Sequence, residues 1–420
     1  MRYILTIAFL LPLLSKAQIT DPNHYSSMSK LKKGQSVVGA NYNFHYGSTA
    51  INYSFLNKII DNDPLNDNVI NSANLSKSNY FGIFQNTGAY CAIRPHNLLK
   101  WENIGLRIGV ADHHYINTRF TNDAYSLFFN GNSSFEGKTA DISQSLLNQL
   151  HFQEIQLGFF TVSEAEDNII YYGGISLLKG QNLQSAVIRE GKIYTAESGE
   201  YIDADIQGMY YFSDTNNIEF QNFNGFGAAL NFYVDYTSSD KKSRLTASLN
   251  HLGYIKWNEE TTRIAVDTSI HFEGFVIEDM LSNDSIAVGE ISMDSIMQEW
   301  IAKGERHKYI KVIPERVFLS YTRYYFDQDL ELTLGMAGLF NANTKIPVFY
   351  SNIKYNYKEL LSFWMQPSYG GYNPFQLGCG LELNVKNRIF LKIGSNSIIG
   401  LVASEKAYSA GIYSNLQIVF

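Results

Sequence analysis

The chain closes with Ser409, Ala410, Gly411, Ile412, Tyr413, Ser414, Asn415, Leu416, Gln417, Ile418, Val419 and Phe420. Successive side chains of an extended backbone point to opposite faces, so Ile412, Leu416, Ile418 and Phe420 share one face, and Tyr413, Asn415 and Gln417 share the other. The same period recurs upstream. Val38, Ala40, Tyr42, Phe44 and Tyr46 alternate with Gly39, Asn41, Asn43 and His45. Ile104, Leu106, Ile108 and Val110 alternate with Gly105, Arg107 and Gly109, and Leu377, Cys379, Leu381, Leu383 and Val385 with Gln376, Gly378, Gly380, Glu382 and Asn384. In each segment the second face is polar or glycine. Further strands are expected over 150–160, 169–178, 203–212, 223–234, 244–257, 314–326, 330–339, 347–357, 360–369 and 388–394, separated by turns rich in Asn, Asp, Ser and Gly. The fold class is all-β.

A soluble sandwich alternates in the same way, so length and composition have to discriminate. Many segments reach the ~9 to 11 residues of a tilted membrane strand, beyond the usual ~5 or 6. Charged residues are only 17% of the 420, and aromatics reach 14%; soluble chains carry about 25% charged residues. Tyr and Phe gather near segment ends, as at Tyr171 with Tyr172, Tyr210 with Tyr211, and Tyr321 with Tyr324 and Tyr325, where membrane-interface girdles would fall. Beyond the first ~20 residues no apolar run of about 20 appears, which excludes a helical membrane bundle. The expectation is an antiparallel transmembrane β-barrel of about 14 strands, in a range of roughly 12 to 16, with Asn41, Asn43, Arg107 and Glu382 facing the lumen.

The beginning of the chain reads as a signal peptide over 1–17: Arg2, an apolar stretch from Ile4 to Leu14, then Ser15 and Ala17 before a cleavage site at Gln18. Export and an aromatic last residue, which resembles the C-terminal signal of outer-membrane barrels, place the mature barrel, 18–420, in the outer membrane of a Gram-negative cell. Without Arg2 and Lys16 the 33 Lys and Arg fall to 31 against 40 Asp and Glu, so nucleic acid is excluded as a partner. Cys91 and Cys379 are too few for a disulfide framework and read as small apolar fillers.

Two stretches break the rhythm. Asp141–Leu150 carries Ile142, Leu146, Leu147 and Leu150 at helical spacing, and Ser292–Lys303 pairs Ile296 with Trp300 and Met297 with Ile301 ahead of Gly304. Both are expected to be short helices. The second falls in an insertion, 258–311, that is acidic: no Lys or Arg lies between Ile264 and Ala302. It is expected as a helical unit outside the bilayer or within the lumen.

Chemistry-bearing patterns are absent. His113 and His114 are adjacent and on a strand point to opposite faces, so they cannot chelate one ion together. There is no H-E-x-x-H, cysteine cluster or G-x-S-x-G, and Asn283–Asp294 lacks the spacing of a calcium loop. The sequence therefore nominates no catalytic, cofactor-binding or metal-ligating residue, and no enzymatic activity is expected.

Four stretches resemble an outer-membrane family of the Bacteroidota without assigned function: Phe129-Asn130-Gly131-Asn132, Gly173 to Gly180, Leu249-Asn250-His251-Leu252-Gly253-Tyr254-Ile255-Lys256-Trp257, and Ala410 to Phe420. The resemblance implies a barrel similar in architecture to the long-chain fatty-acid transporters and to the barrel subunit of the type IX secretion system. In it Gly253 would serve backbone packing and Trp257 an interfacial anchor. No segment matches the N-terminal hatch of the fatty-acid transporters. Two functions are expected to compete: passage of a hydrophobic or amphipathic small molecule across the outer membrane, or a non-transporting scaffold whose acidic insertion docks a protein of a secretion, gliding or surface-display machinery. Outer-membrane lipid is the partner common to both.

Overall fold

The computed structural model describes Met28 and residues 31–96, 103–162, 168–214, 216–217, 219–273, 304–340 and 346–420. The signal peptide and the helix expected over Ser292–Lys303 lie outside the described residues. Among the described residues nineteen strands follow in chain order: β1 (Ser36–Ser48), β2 (Asn79–Ile93), β3 (Ile104–Phe120), β4 (Lys138–Asp141), β5 (Leu146–Thr161), β6 (Ile169–Thr195), β7 (Ile202–Phe212), β8 (Gly225–Thr237), β9 (Ser243–Trp257), β10 (Thr262–Phe272), β11 (Glu305–Arg306), β12 (Tyr309–Val312), β13 (Glu315–Tyr325), β14 (Leu330–Phe340), β15 (Ile346–Tyr357), β16 (Leu361–Gly371), β17 (Asn373–Val385), β18 (Ile389–Ser397) and β19 (Ser409–Val419).

Antiparallel neighbours close a barrel of 14 strands. Its wall runs β1, β2, β3, β5, β6, β8, β9, then β12 and β13 as one interrupted strand, then β14 through β19. β19 pairs back onto β1 from Val37 opposite Val419 to Gly47 opposite Ser409, so the wall has no free edge. Ser36 and Val419 mark one end, here the near end.

At the far end part of the sheet continues past the wall. Residues 169–180 of β6 pair with β8, but residues 184–195 turn to β7, which pairs along its length with β10, while β4 lies on the other side of β6. Residues 203–212, expected in the wall, thus belong to this projecting sheet, and Tyr210 and Tyr211 are not girdle residues. Tyr211 instead stacks on Tyr309, ring centres 4.0 Å apart. Within 258–311 the described residues include strands β10, β11 and the start of β12 at the far rim. Asp141–Leu150 is not a helix: β4 ends at Asp141 and β5 begins at Leu146. Pairing of β5 with both β3 and β6 outweighs the local helical spacing of a few leucines.

The outer face carries an apolar belt. Ile108, Val110, Ile155, Leu157, Ile175 and Leu177 are each about half exposed. Exposed aromatics ring it on both sides: Tyr171, Tyr236, Tyr325, Tyr355 and Tyr357 toward the near end, and Phe226, Tyr254, Phe340, Tyr369 and Phe375 toward the far end. Cys91 and Cys379 are free on this outer wall, Cys91 exposed and Cys379 partly so. Beside the far ring the helix Tyr53–Ile60 packs Tyr53 and Leu56 onto Phe44 and Tyr46.

Inward positions pair glycines with large rings. A Cβ at Gly105 would lie 2.1 Å from the Phe160 ring, at Gly39 2.5 Å from Tyr90, and at Gly394 2.2 Å from Trp364. Glycines on the second face thus leave the space that inward aromatics fill.

Candidate functional site

The lumen is layered. At the near end Met28 and Leu31 enter the barrel and pack with Tyr90, Phe160, Tyr172 and Tyr233. Met28 and Leu31, both ahead of β1, therefore occupy the lumen although no hatch motif is legible in the sequence. At the far end Phe84, Tyr115, Phe152, Ile255, Trp257 and Tyr372 form a second apolar layer. Between them lies a buried polar layer around a cavity of about 90 Å³, lined by Asn41, Arg107, Glu154, Asn231, His251 and Arg316 among others.

Glu154 is the centre of the layer and is buried. On β5 it shares the inward face with Phe152 and Gln156, while Gln153, Ile155 and Leu157 point out. Its Oε2 lies 2.8 Å from His113 Nε2 and 3.2 Å from His251 Nε2. Its Oε1 accepts from the Ser176 hydroxyl, which in turn accepts from Asn231 Nδ2 at 2.7 Å. The chain continues outward from His113, whose Nδ1 lies 2.7 Å from Asn86 Nδ2, and Asn41 Nδ2 donates to Asn86 Oδ1 at 2.9 Å. Arg107 donates to Gln156 and lies 4.6 Å over the Tyr90 ring, and Arg316 donates to the Tyr115 hydroxyl.

His251 reaches this layer through a bulge. The register of β8 with β9 shifts between Leu230 and Phe232, so Asn250 and His251 both fall opposite Asn231. His251 takes φ +64°, a left-handed conformation uncommon for a side-chain-bearing residue, and its N–H donates to Asn231 Oδ1 at 3.0 Å. The bulge inverts the parity of all that follows. Leu245 and Leu249 point out on the near side of it, yet His251, Ile255 and Trp257 point in. Trp257 is accordingly a fully buried lumen residue and not an interfacial anchor. Gly253 does serve close packing: a Cβ there would lie 2.1 Å from the Ala228 carbonyl oxygen.

The four polar positions expected in the lumen all face it. Asn41 and Arg107 line the cavity, Asn43 is buried on the same face, and Glu382 lies apart, held by Lys354 at 2.6 Å and Lys392 at 2.8 Å. His113 and His114 point to opposite faces, and each meets partners from other strands. His114 joins an outer-wall group in which His114 Nε2 lies 2.8 Å and His151 Nε2 2.9 Å from the two oxygens of Asp112. Parity along β5 marks Glu154 as an inward charge. His251 falls in one of the four stretches that carry the family resemblance, but strict alternation from Leu249 would place it on the outer face, and only the bulge turns it inward.

A closed 14-stranded barrel with a layered lumen defines the class of protein. Within it, the chain belongs to a family of unknown function, DUF5723, whose model matches residues 35–392. No curated protein matches the chain. Among solved structures it is similar to the Pseudomonas putida toluene transporter TodX, at 8% identity and a TM-score of 0.44 over 97% of this chain and 94% of that one. It is also similar to a Pseudomonas aeruginosa FadL homologue, at 8% and 0.40 over 94% and 90%. The translocator domain of the autotransporter NalP from Neisseria meningitidis matches at 7% and 0.35 over 94% and 91%.

Proposed function

We propose that this protein is a non-enzymatic outer-membrane barrel that passes a hydrophobic or amphipathic small molecule across the bilayer. The apolar belt between two aromatic rings supports the membrane placement. The layered lumen carries the functional reading. A water-filled pore is polar throughout its interior, whereas this interior is aromatic and aliphatic at both ends and ionisable between them. Ionisable groups at such depth are costly and typically mark a pathway. A solute with an apolar body and a polar head matches apolar layers flanking Glu154, Arg107 and Arg316. A cavity of about 90 Å³ is far below the ~300 Å³ of a typical small-molecule site, so passage requires a layer to move.

Reconstituted proteoliposomes holding serum albumin test this with anilinonaphthalene sulfonate, an anionic amphiphile. Influx faster than in protein-free liposomes is expected, and equal rates with a folded barrel would refute passage of this class. The projecting sheet favours a second reading, the scaffold: Asp203, Asp205 and Asp267 share one of its faces beyond the rim. Recovery of a stoichiometric protein from native membranes, lost when that face is neutralised, would favour it over transport.

A further inference from the structure

Among the described residues two groups bring three metal-ligating side chains together, His113 with Glu154 and His251 in the lumen and Asp112 with His114 and His151 on the outer wall. We propose that the luminal group is a site for a divalent transition metal ion of the zinc class, with two imidazoles and one carboxylate as ligands and a fourth position open to the cavity.

Ligand identity and spacing agree with this. Zinc bound by nitrogen at about 2.0 to 2.1 Å and by oxygen at about 2.0 to 2.2 Å in a tetrahedron has ligand edges of roughly 3.3 Å. The two Nε2 atoms stand 2.8 and 3.2 Å from the same Glu154 oxygen, close to two of those edges, and all three ligand atoms lie within 4.8 Å of one another, so local side-chain adjustment forms the face that a metal caps. The ligands are oriented by partners of the kind that metal sites carry: Asn86 on His113 Nδ1, Ser176 on Glu154 Oε1, and Asn231 on both Ser176 and the His251 backbone. On binding, the ring hydrogen of His113 moves from Nε2 to Nδ1, and the Asn86 and Asn41 amides both turn over, so that Asn86 Oδ1 accepts from Nδ1 and Asn86 Nδ2 donates to Asn41 Oδ1.

Two further observations concern His251 and the cavity. His251 is buried and lines the cavity, and its Nδ1, without a partner among the described residues, can carry the ring hydrogen when Nε2 binds. Its left-handed backbone is a local strain that serves to aim the ring inward, away from the outer face that regular alternation would give it. The cavity holds more than the ~30 Å³ of one water, so a fourth ligand has room. The outer-wall group differs. Asp112, His114 and His151 are partly exposed, each carboxylate oxygen is engaged by one imidazole, and the two rings stack at 3.7 Å. This proposal does not depend on whether a solute passes.

The test uses tag-free full-length barrel purified in detergent, stripped with chelator, and equilibrated with zinc alone, then with cobalt alone. Elemental analysis should find one zinc per chain, and the cobalt form should show the intense visible bands of a tetrahedral site. Glu154→Gln and His251→Gln should each weaken zinc binding by more than about 100-fold, and Asn86→Ala by about 10-fold. The pair His114→Gln with His151→Gln should bind as the unaltered protein does. Heat-dependent gel mobility confirms that each variant is folded. Substoichiometric zinc in the folded unaltered barrel, full binding by folded His251→Gln, or loss of binding in the outer-wall pair would each overturn the proposal.

Discussion

At the scale of residues, neighbours in the sequence have separate fates. His113 and His114 follow one another, yet one is sealed against Glu154 and His251 while the other meets Asp112 and His151 on the outer wall. Alternation alone predicts that divergence. It does not predict their partners from other strands, Glu154 and His151 on β5 and His251 on β9. A bulge adds a second limit: one extra residue at Asn250 and His251 turns Trp257 from the lipid side into the lumen. The hydrogen bonds around Glu154 yield a testable cost. Ser176→Ala leaves the buried Oε1 without its donor and should destabilise the barrel by about 1–3 kcal/mol, read as a lower urea midpoint in reversible unfolding. An unchanged midpoint would mean that water or another group satisfies that oxygen.

At the scale of elements, the strands expected from the sequence are strands, and one of them lies outside the wall. Residues 203–212 alternate like a wall strand, but β6 is 27 residues long and carries them beyond the rim, where they pair with β10 in a projecting sheet. Alternation reports pairing and says nothing of where a paired strand leaves the barrel. Space is set at this scale too. Gly380 and Gly394 flank the Trp364 indole, where added Cβ atoms would lie 2.4 and 2.2 Å from it, so Gly394→Ala should cost roughly 1–3 kcal/mol and lower the temperature of the gel-mobility shift. In the projecting sheet the Asp203 carboxylate, with Glu273, raises the His271 imidazole above its ordinary value. A raised folded value means that this cross-strand contribution is complete below about pH 6.5 and is lost as pH rises through the folded value. Hydrogen exchange, corrected for intrinsic rate, should show β7 and β10 less protected at pH 8.5 than at pH 6. His271→Gln should remove the difference, and its persistence in that variant would assign it to other groups.

At the scale of the whole molecule, closure of β19 onto β1 and the apolar outer belt make a barrel fit to span a bilayer, and the lumen distinguishes it from an aqueous pore. Liposome swelling with small sugars should therefore stay at the level of protein-free vesicles, while swelling at porin-like rates would mark an open channel. The central claim is that apolar and ionisable layers are built around an amphipathic solute. It is tested most directly by native mass spectrometry of the barrel extracted gently from its own membrane. The account predicts a reproducible small lipophilic adduct, reduced in Glu154→Gln. A bare barrel accompanied by a stoichiometric protein partner would contradict it and turn attention to the projecting sheet.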